Sequence, residues 1–477
     1  MIELENIEFK LDDNLPKYLQ IYNNIKDMIQ QGKLKKNQKL IPIRKLSKIL
    51  GVNTSTIVKA YDLLEYEGYV YKVAGSGCYV KEVKKEESYQ IHDYKRQGIT
   101  FDSATPSLDI FPIEDFKKAI NMCLEKEGAK IFDYEDGLGN LKLRSSICDY
   151  LKDLKIYSHI NKIQIISGAQ QGIDLICKAI LSYGDFAFVE MPTYSGAIEV
   201  FKTKGVKAIQ IPMLEDGIDI GILKKKLEKL RPKLLYLMPN YQNPTGISYS
   251  KQKKEKIIDL AKEYDFYIIE DDFLSDFKFD SDDNYTLRHY DKYNKVIYIK
   301  SFSKLLMPGL RIGFMEVPSN LITKLSIAKH SSDISTSGLV QGALYYYIKY
   351  FDWKTHLMNL EKIYKIRFDK AKYLIENNLK GPLEYIKPKG GINFFLGLPR
   401  GYSSCDFRDY LSNYGVFILP GGHFFENEIE SRFFRINIAS TNEDEIEKGI
   451  QIISSKLSEF LDKYKNNLDF KLNEIYF

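Results

Sequence analysis

The chain has 477 residues, 69 of them Lys or Arg and 64 Asp or Glu, so its net charge is +5; 44% are hydrophobic and 28% charged. That composition supplies a large core and excludes a mostly disordered chain, and the length suits two or three domains of about 100–200 residues. No apolar run approaches the roughly 20 residues of a membrane span.

The first residues, MIELENIEFK, are acidic and mixed, unlike a signal or transit peptide. Five cysteines, none in a CxxC pair, point to a reducing, cytoplasmic setting and to neither disulfides nor zinc. The six histidines show no ligand spacing, so no metal is expected.

Charge is uneven along the chain. Residues 33–59 hold eight basic side chains (Lys33, Lys35, Lys36, Lys39, Arg44, Lys45, Lys48, Lys59) and no acid. A local basic patch is the electrostatic footprint of nucleic-acid binding, although a solvated Lys-rich face has the same composition. Pro16 opens a helical pattern with Tyr18, Ile21, Ile25 and Ile29 on one stripe, and Gly32 stops it. A second helix fits 42–50, with Pro42 in its first turn, Leu46 and Leu50 buried and Gly51 ending it. Asn53 or Thr54 caps a third, whose Ile57, Tyr61 and Leu64 face inward and whose Asn53, Ser55, Thr56 and Lys59 face outward. YVYKVAGSGCYV (69–80) then reads as a hairpin wing around Gly75-Ser76-Gly77.

Taken together, PKYLQIYNNI, GKL, Arg44 with Leu46, LGVNTSTIVKAYDLLEYEGYV and GSGCYV resemble the winged helix-turn-helix domain of the GntR regulators. The resemblance implies double-stranded operator DNA as partner, with Arg44, Asn53, Thr54, Ser55, Thr56, Lys59 and the wing's Ser76 as contact residues. Two positions depart from the family pattern. Ile41-Pro42 stands where Pro-Ser is usual, and Thr54 stands where an arginine is frequent; threonine lacks the bidentate fork.

KEVKKEESYQIHDYKRQG (81–98) is charged and aperiodic and reads as a linker. The expected division is a DNA-binding domain over 1–80, the linker over 81–98 and a second domain over 99–477. In that second domain strand-like runs alternate with helical patterns: IQIIS (163–167), DFAFVE (185–190), LLYLM (234–238), FYIIE (266–270) and VIYIK (296–300). The fold class is α/β with a largely parallel sheet, and ligands of such sheets bind at the carboxyl ends of the strands.

The residues just past each run are therefore informative. Gly168-Ala169-Gln170-Gln171-Gly172 suits an anion at a helix N-terminus, Tyr194 brings a ring, and Asn243-Pro244-Thr245-Gly246 brings an amide. Asp271 and Asp272 bring carboxylates, and Ser301-Phe302-Ser303-Lys304 with Arg311 brings cations and hydroxyls. Singly, each has an ordinary explanation as a turn, a core ring or a solvated loop. Their succession at strand ends is the feature that points to one site.

From about 99 to 465 the chain resembles the class I/II aminotransferases, pyridoxal phosphate proteins of fold type I, with the aminoadipate-type subgroup as the nearest flavour. The resemblance implies that Lys304 forms the Schiff base, Asp271 pairs with the pyridine nitrogen, Asn243 donates to O3′ and Tyr194 stacks on the ring. It implies that Ala169, Gln170, Ser301, Ser303 and Arg311 hold the phosphate and that Arg435, in RFFRINIAS, grips a substrate carboxylate. Tyr134 matches a tyrosine that reaches the partner subunit's phosphate, and Phe273 stands where a tyrosine usually adds a second donor to O3′.

The two halves in this order resemble the MocR-type regulators. That layout implies a head-to-tail homodimer in which an aldimine at Lys304 senses an amino acid or pyridoxal phosphate itself, as effector of DNA binding. The alternative is an active aminotransferase, of aminoadipate-type or broad specificity, that carries a DNA-binding domain.

Overall fold

The computed structural model describes residues 16–30, 33–34, 38–66, 69–73, 77–80, 97–279, 285–379, 381, 383–426 and 431–464. Gly32, the wing tip with Ser76, residues 81–96 of the expected linker and the tail 466–477 lie outside these. The chain divides into two compact units, Met1–Arg96 and Gln97–Phe477.

In the first unit α1 (Lys17–Gln30), α2 (Ile43–Leu50) and α3 (Thr54–Tyr66) precede strands β1 (Val70–Val73) and β2 (Gly77–Val80). The apolar stripe of α1 behaves as its spacing predicts: Ile21, Ile25 and Ile29 are buried with Leu46, Ile57, Tyr61 and Leu64 in one core. Pro42 stands at the N-cap of α2, one position outside the helix, and Gly51 closes the helix in the left-handed region at φ 61°. Leu50 is only half-buried. The cap of α3 is Asn53, whose Oδ1 accepts from Ser55 N (2.9 Å), Ser55 Oγ (3.0 Å) and Thr54 Oγ1 (3.3 Å).

β1 and β2 pair antiparallel with Val70 opposite Val80. Lys39 bridges to Tyr79, adding a third strand-like segment to the wing. Lys72 of β1 reaches back to Asp62 (2.5 Å) and Glu65 (2.6 Å) of α3, fastening wing to helix.

The second unit opens with β3 (Ile99–Thr100), α4 (Ile113–Glu127), α5 (Leu141–Asp153), β4 (Ile163–Ile166), α6 (Ala169–Ile180), β5 (Phe186–Met191) and α7 (Ser195–Thr203). Strands β6 (Lys207–Leu214), β7 (Gly217–Ile218), β8 (Leu234–Leu237), β9 (Tyr267–Asp272), β10 (Val296–Ser301) and β11 (Gly313–Glu316) come next. They build one eight-stranded sheet of order β4-β11-β10-β9-β8-β5-β6-β7. β10, β9, β8, β5 and β6 are parallel neighbours, whereas β11 runs antiparallel to both β10 and β4.

The central strands are apolar throughout because both faces are covered. Val189, Tyr236, Ile269 and Ile297 join the core on one face, and Phe188, Leu235, Ile268 and Val296 the core on the other. Trp353 is buried at the start of the helix Trp353–Asn378.

A second sheet is made of β12 (Glu384–Ile386), β13 (Asn393–Gly397), β15 (Leu419–Pro420) and β16 (Phe433–Asn437) in antiparallel order β12-β13-β16-β15, while β14 (Val416–Phe417) pairs with β3. The segment after β3 continues along this smaller layer: Asn437 N donates to Phe101 O (2.9 Å) and Ser107 N to Ala439 O (2.9 Å). No helix among the described residues is long and apolar enough to cross a membrane.

Candidate functional site

The strand ends supply the site. After β4, Gly168 takes φ 92°, and a Cβ there would stand 2.6 Å from Arg311 Nη2. A glycine is thus required for the guanidinium to lie against the turn that starts α6. Arg311, itself left-handed at φ 48°, donates from Nη2 to Ser167 O (3.1 Å). The first turn of α6 presents Ala169 and Gln170; Gln170 Nε2 donates to Gly196 O (2.9 Å), and Tyr194 OH donates to Gln170 Oε1 (3.2 Å). Ser301 and Ser303 share a hydrogen bond of 2.8 Å. A helix N-terminus, an arginine lying against its turn and a pair of hydroxyls are the components of an anion cradle.

Asp271 and Asp272, expected just past the strand run, are the last two residues of β9, and both are buried. Asp271 accepts from Tyr236 OH at 2.7 Å. Burial pushes its carboxyl up to about 6, and the Tyr236 hydrogen bond opposes that rise. Burial also opposes charge on Asp272, yet Lys300 and Tyr298 OH (2.5 Å) hold it below the usual carboxylate range.

Lys304 Nζ donates to Ala104 O. Burial pushes this amine down to about 8, and the charges of Arg435 and Arg311 add to the shift. Arg435 donates from Nη1 to Asn243 Oδ1 (3.0 Å) and from Nη2 to Asp102 O (2.8 Å). Its buried Nε has no hydrogen-bond partner among the described residues. Phe273 is buried, and Tyr134 is 80% exposed.

Residues 97–453 match the family described as aminotransferase class I and II. The chain belongs to this family. Residues 17–80 match the bacterial regulatory proteins of the gntR family, so a helix-turn-helix domain precedes the aminotransferase domain. The uncharacterized HTH-type transcriptional regulator YcxD of Bacillus subtilis is 29% identical over 450 residues, spanning 93% of this chain and 100% of its own. The kynurenine aminotransferase of Pyrococcus horikoshii, solved with PMP, is 30% identical with a TM-score of 0.73, covering 77% of this chain and 92% of that one. LysN, the alpha-aminoadipate aminotransferase of Thermus thermophilus, solved with N-(5'-phosphopyridoxyl)-L-leucine, is 27% identical with a TM-score of 0.73, covering 77% and 93%.

The residues of this aminotransferase unit fit pyridoxal phosphate. The cradle that a Cβ at Gly168 would fill suits a phosphate, the carboxylate of Asp271 a ring nitrogen, and the desolvated Lys304 amine an aldehyde. The orphaned Nε of Arg435 marks a buried donor awaiting an anion.

Three buried polar residues are not singled out by the sequence. Tyr236 and Lys300 sit inside runs that read as strand. Glu190, the last residue of another run, accepts from Tyr249 OH (2.7 Å) and Gln242 Nε2 (3.1 Å) and so props the loop that carries Asn243. Their signal is a polar side chain inside an apolar run that ends at the site.

In the first unit, Arg44, Asn53, Thr54, Ser55 and Lys59 are exposed and Thr56 is half-buried. Asn53 spends its side-chain carbonyl on capping α3, which leaves its amide free of that duty.

Proposed function

We propose that this chain is a transcription regulator in which the aminotransferase-type unit senses an amino acid, or its own cofactor, and the N-terminal unit binds double-stranded DNA. The observation that carries the reading is the presence in one chain of a winged helix-turn-helix with its own core and of a cofactor site furnished at successive strand ends. A regulator-named relative matched over its whole length supports it. The DNA-binding domain takes residues 1–80, the linker 81–98 and the cofactor-binding domain 99–477, and the protein works in the cytoplasm.

Pyridoxal phosphate is the cofactor; when bound it supplies an aldehyde that condenses with amines and a ring that withdraws electrons. Ala169, Gln170, Ser301, Ser303 and Arg311 hold its phosphate, and Tyr194 covers one ring face. Asn243 donates to the ring hydroxyl oxygen, beside which Phe273 offers no second donor. Lys304, whose amine burial brings down to about 8, gives up its proton more readily than an exposed lysine. Arg435 grips the carboxylate of the amino acid through a two-pronged hydrogen bond. In a head-to-tail homodimer Tyr134 reaches the phosphate of the partner subunit, and the two α3 helices read paired half-sites.

The effector shifts DNA affinity only by its unequal affinity for the two arrangements of the dimer. The test is selection of fragments of the source genome on the cofactor-loaded protein at near-physiological salt. Enrichment of a few sites with paired half-sites is expected. Retained cofactor without any enrichment overturns the regulator reading in favour of transamination.

A further inference from the structure

The acid that faces the cofactor ring stands in a crowded place. Asp271 and Asp272 are consecutive, Glu270 precedes them, and all three are buried at 5% exposure or less. Like charges at such spacing oppose one another in a low-dielectric interior. The structure separates them by partner. Glu270 accepts from the backbone N–H groups of Leu287 (2.5 Å) and Arg288 (2.6 Å). Asp272, on the opposite face of the strand from Asp271, is matched by Lys300, fully buried, at 3.2 Å; the same ammonium lies 2.5 Å from Asp276. Asp271 is matched by a hydroxyl instead. Its side-chain partner is Tyr236 OH, at 2.7 Å from Oδ2, on the adjacent strand β8 and itself fully buried. Tyr236 pairs in register with Ile269, so alternation brings its ring to the face that Asp271 shares. One carboxylate oxygen, Oδ2, is thereby taken up.

We propose that Tyr236 is a positioning residue for the cofactor: its hydroxyl fixes the Asp271 carboxylate and favours its charged form opposite the ring nitrogen, while Lys300 neutralises Asp272 behind it. The proposal rests on the cofactor reading above. Phe273 sharpens the need, because the ring then lacks one hydrogen bond at its oxygen side and depends more on its nitrogen side.

The alternative for Tyr236 is a core tyrosine that has merely found an acceptor. A cofactor analogue separates the two. Cofactor-free protein, Tyr236→Phe, Asp271→Asn and the double variant are titrated by fluorescence with pyridoxal 5′-phosphate and with its 1-deaza analogue, in which carbon replaces the ring nitrogen. A hydrogen bond to a charged group sets the expected scale, so Tyr236→Phe weakens pyridoxal phosphate by roughly tenfold. The same change leaves the deaza analogue unaffected and adds nothing on the Asp271→Asn background. Equal losses for both compounds, or no loss with either, overturn the positioning role. Failure of the unsubstituted protein to retain pyridoxal phosphate at all overturns the cofactor reading beneath it.

Discussion

Lys304 combines two properties that suit a carbonyl-trapping amine, a buried placement and a lowered proton affinity. Burial and the neighbouring Arg435 and Arg311 hold its amine at about 8. Lys304→Ala therefore abolishes borohydride-fixed cofactor, read by mass spectrometry of the digested protein; a fixed adduct on another lysine contradicts the assignment. Glu190 carries the opposite kind of shift. Burial raises it from 4.5 to about 7, against hydrogen bonds from Tyr249, Gln242 and Met238 N. The folded state thus holds this proton more tightly than the unfolded chain does. Its contribution to stability is full below about 4.5 and is lost as pH rises through about 7. Replacement by glutamine removes that decline. Denaturant midpoints of the cofactor-free protein at about pH 5 and about pH 8 measure it, and an unchanged difference between the two pH values would show that Glu190 titrates normally.

Among the elements, the turn between β4 and α6 does not accept a side chain at Gly168 without strain. Gly168→Ala places a Cβ 2.6 Å from Arg311 Nη2 and forces an L-residue to φ 92°. The backbone strain alone costs about 1–3 kcal/mol, and cofactor affinity falls as Arg311 is displaced, which equilibrium dialysis measures. In the first unit Asn53→Ala removes the cap of α3 at a cost of about 1 kcal/mol, visible as faster hydrogen exchange at the Ser55 amide.

The same elements show why part of the site is legible in sequence. Gly168, Tyr194, Asn243 and Lys304 come soon after apolar runs, and parallel strands place such positions along one edge. Tyr236 and Lys300 are not legible, because an apolar run that reads as strand says nothing about which polar member meets which neighbour. That pairing is fixed by strand order, and the order passes from β5 to β8 and inserts β11 antiparallel. Arg435 is legible only through the family pattern, since β16 belongs to the separate smaller sheet.

For the molecule as a whole, the division of labour makes its two ligands separable by mutation. Arg44→Ala weakens operator binding and leaves the cofactor's absorption spectrum unchanged, in paired gel-shift and spectral measurements; an undiminished affinity removes Arg44 from the contact set. Arg435→Ala leaves the cofactor bound and abolishes the response of operator affinity to an amino acid. A full response in that variant would place the carboxylate clamp elsewhere.

The pairing of β3 with β14 fixes where the second unit's chain enters its fold. The second unit begins at Gln97, and its first strand is not stitched to the eight-stranded sheet. It is stitched to Val416 and Phe417, and the residues after it bond to Asn437 and Ala439. Asp102, three residues beyond Ile99, accepts directly from Arg435. The first residues of the second unit therefore lie against the strand that carries Arg435. The same stretch also meets the other side of the site, where Lys304 Nζ donates to Ala104 O, so one short run of backbone ties together two side chains that lie far apart in sequence.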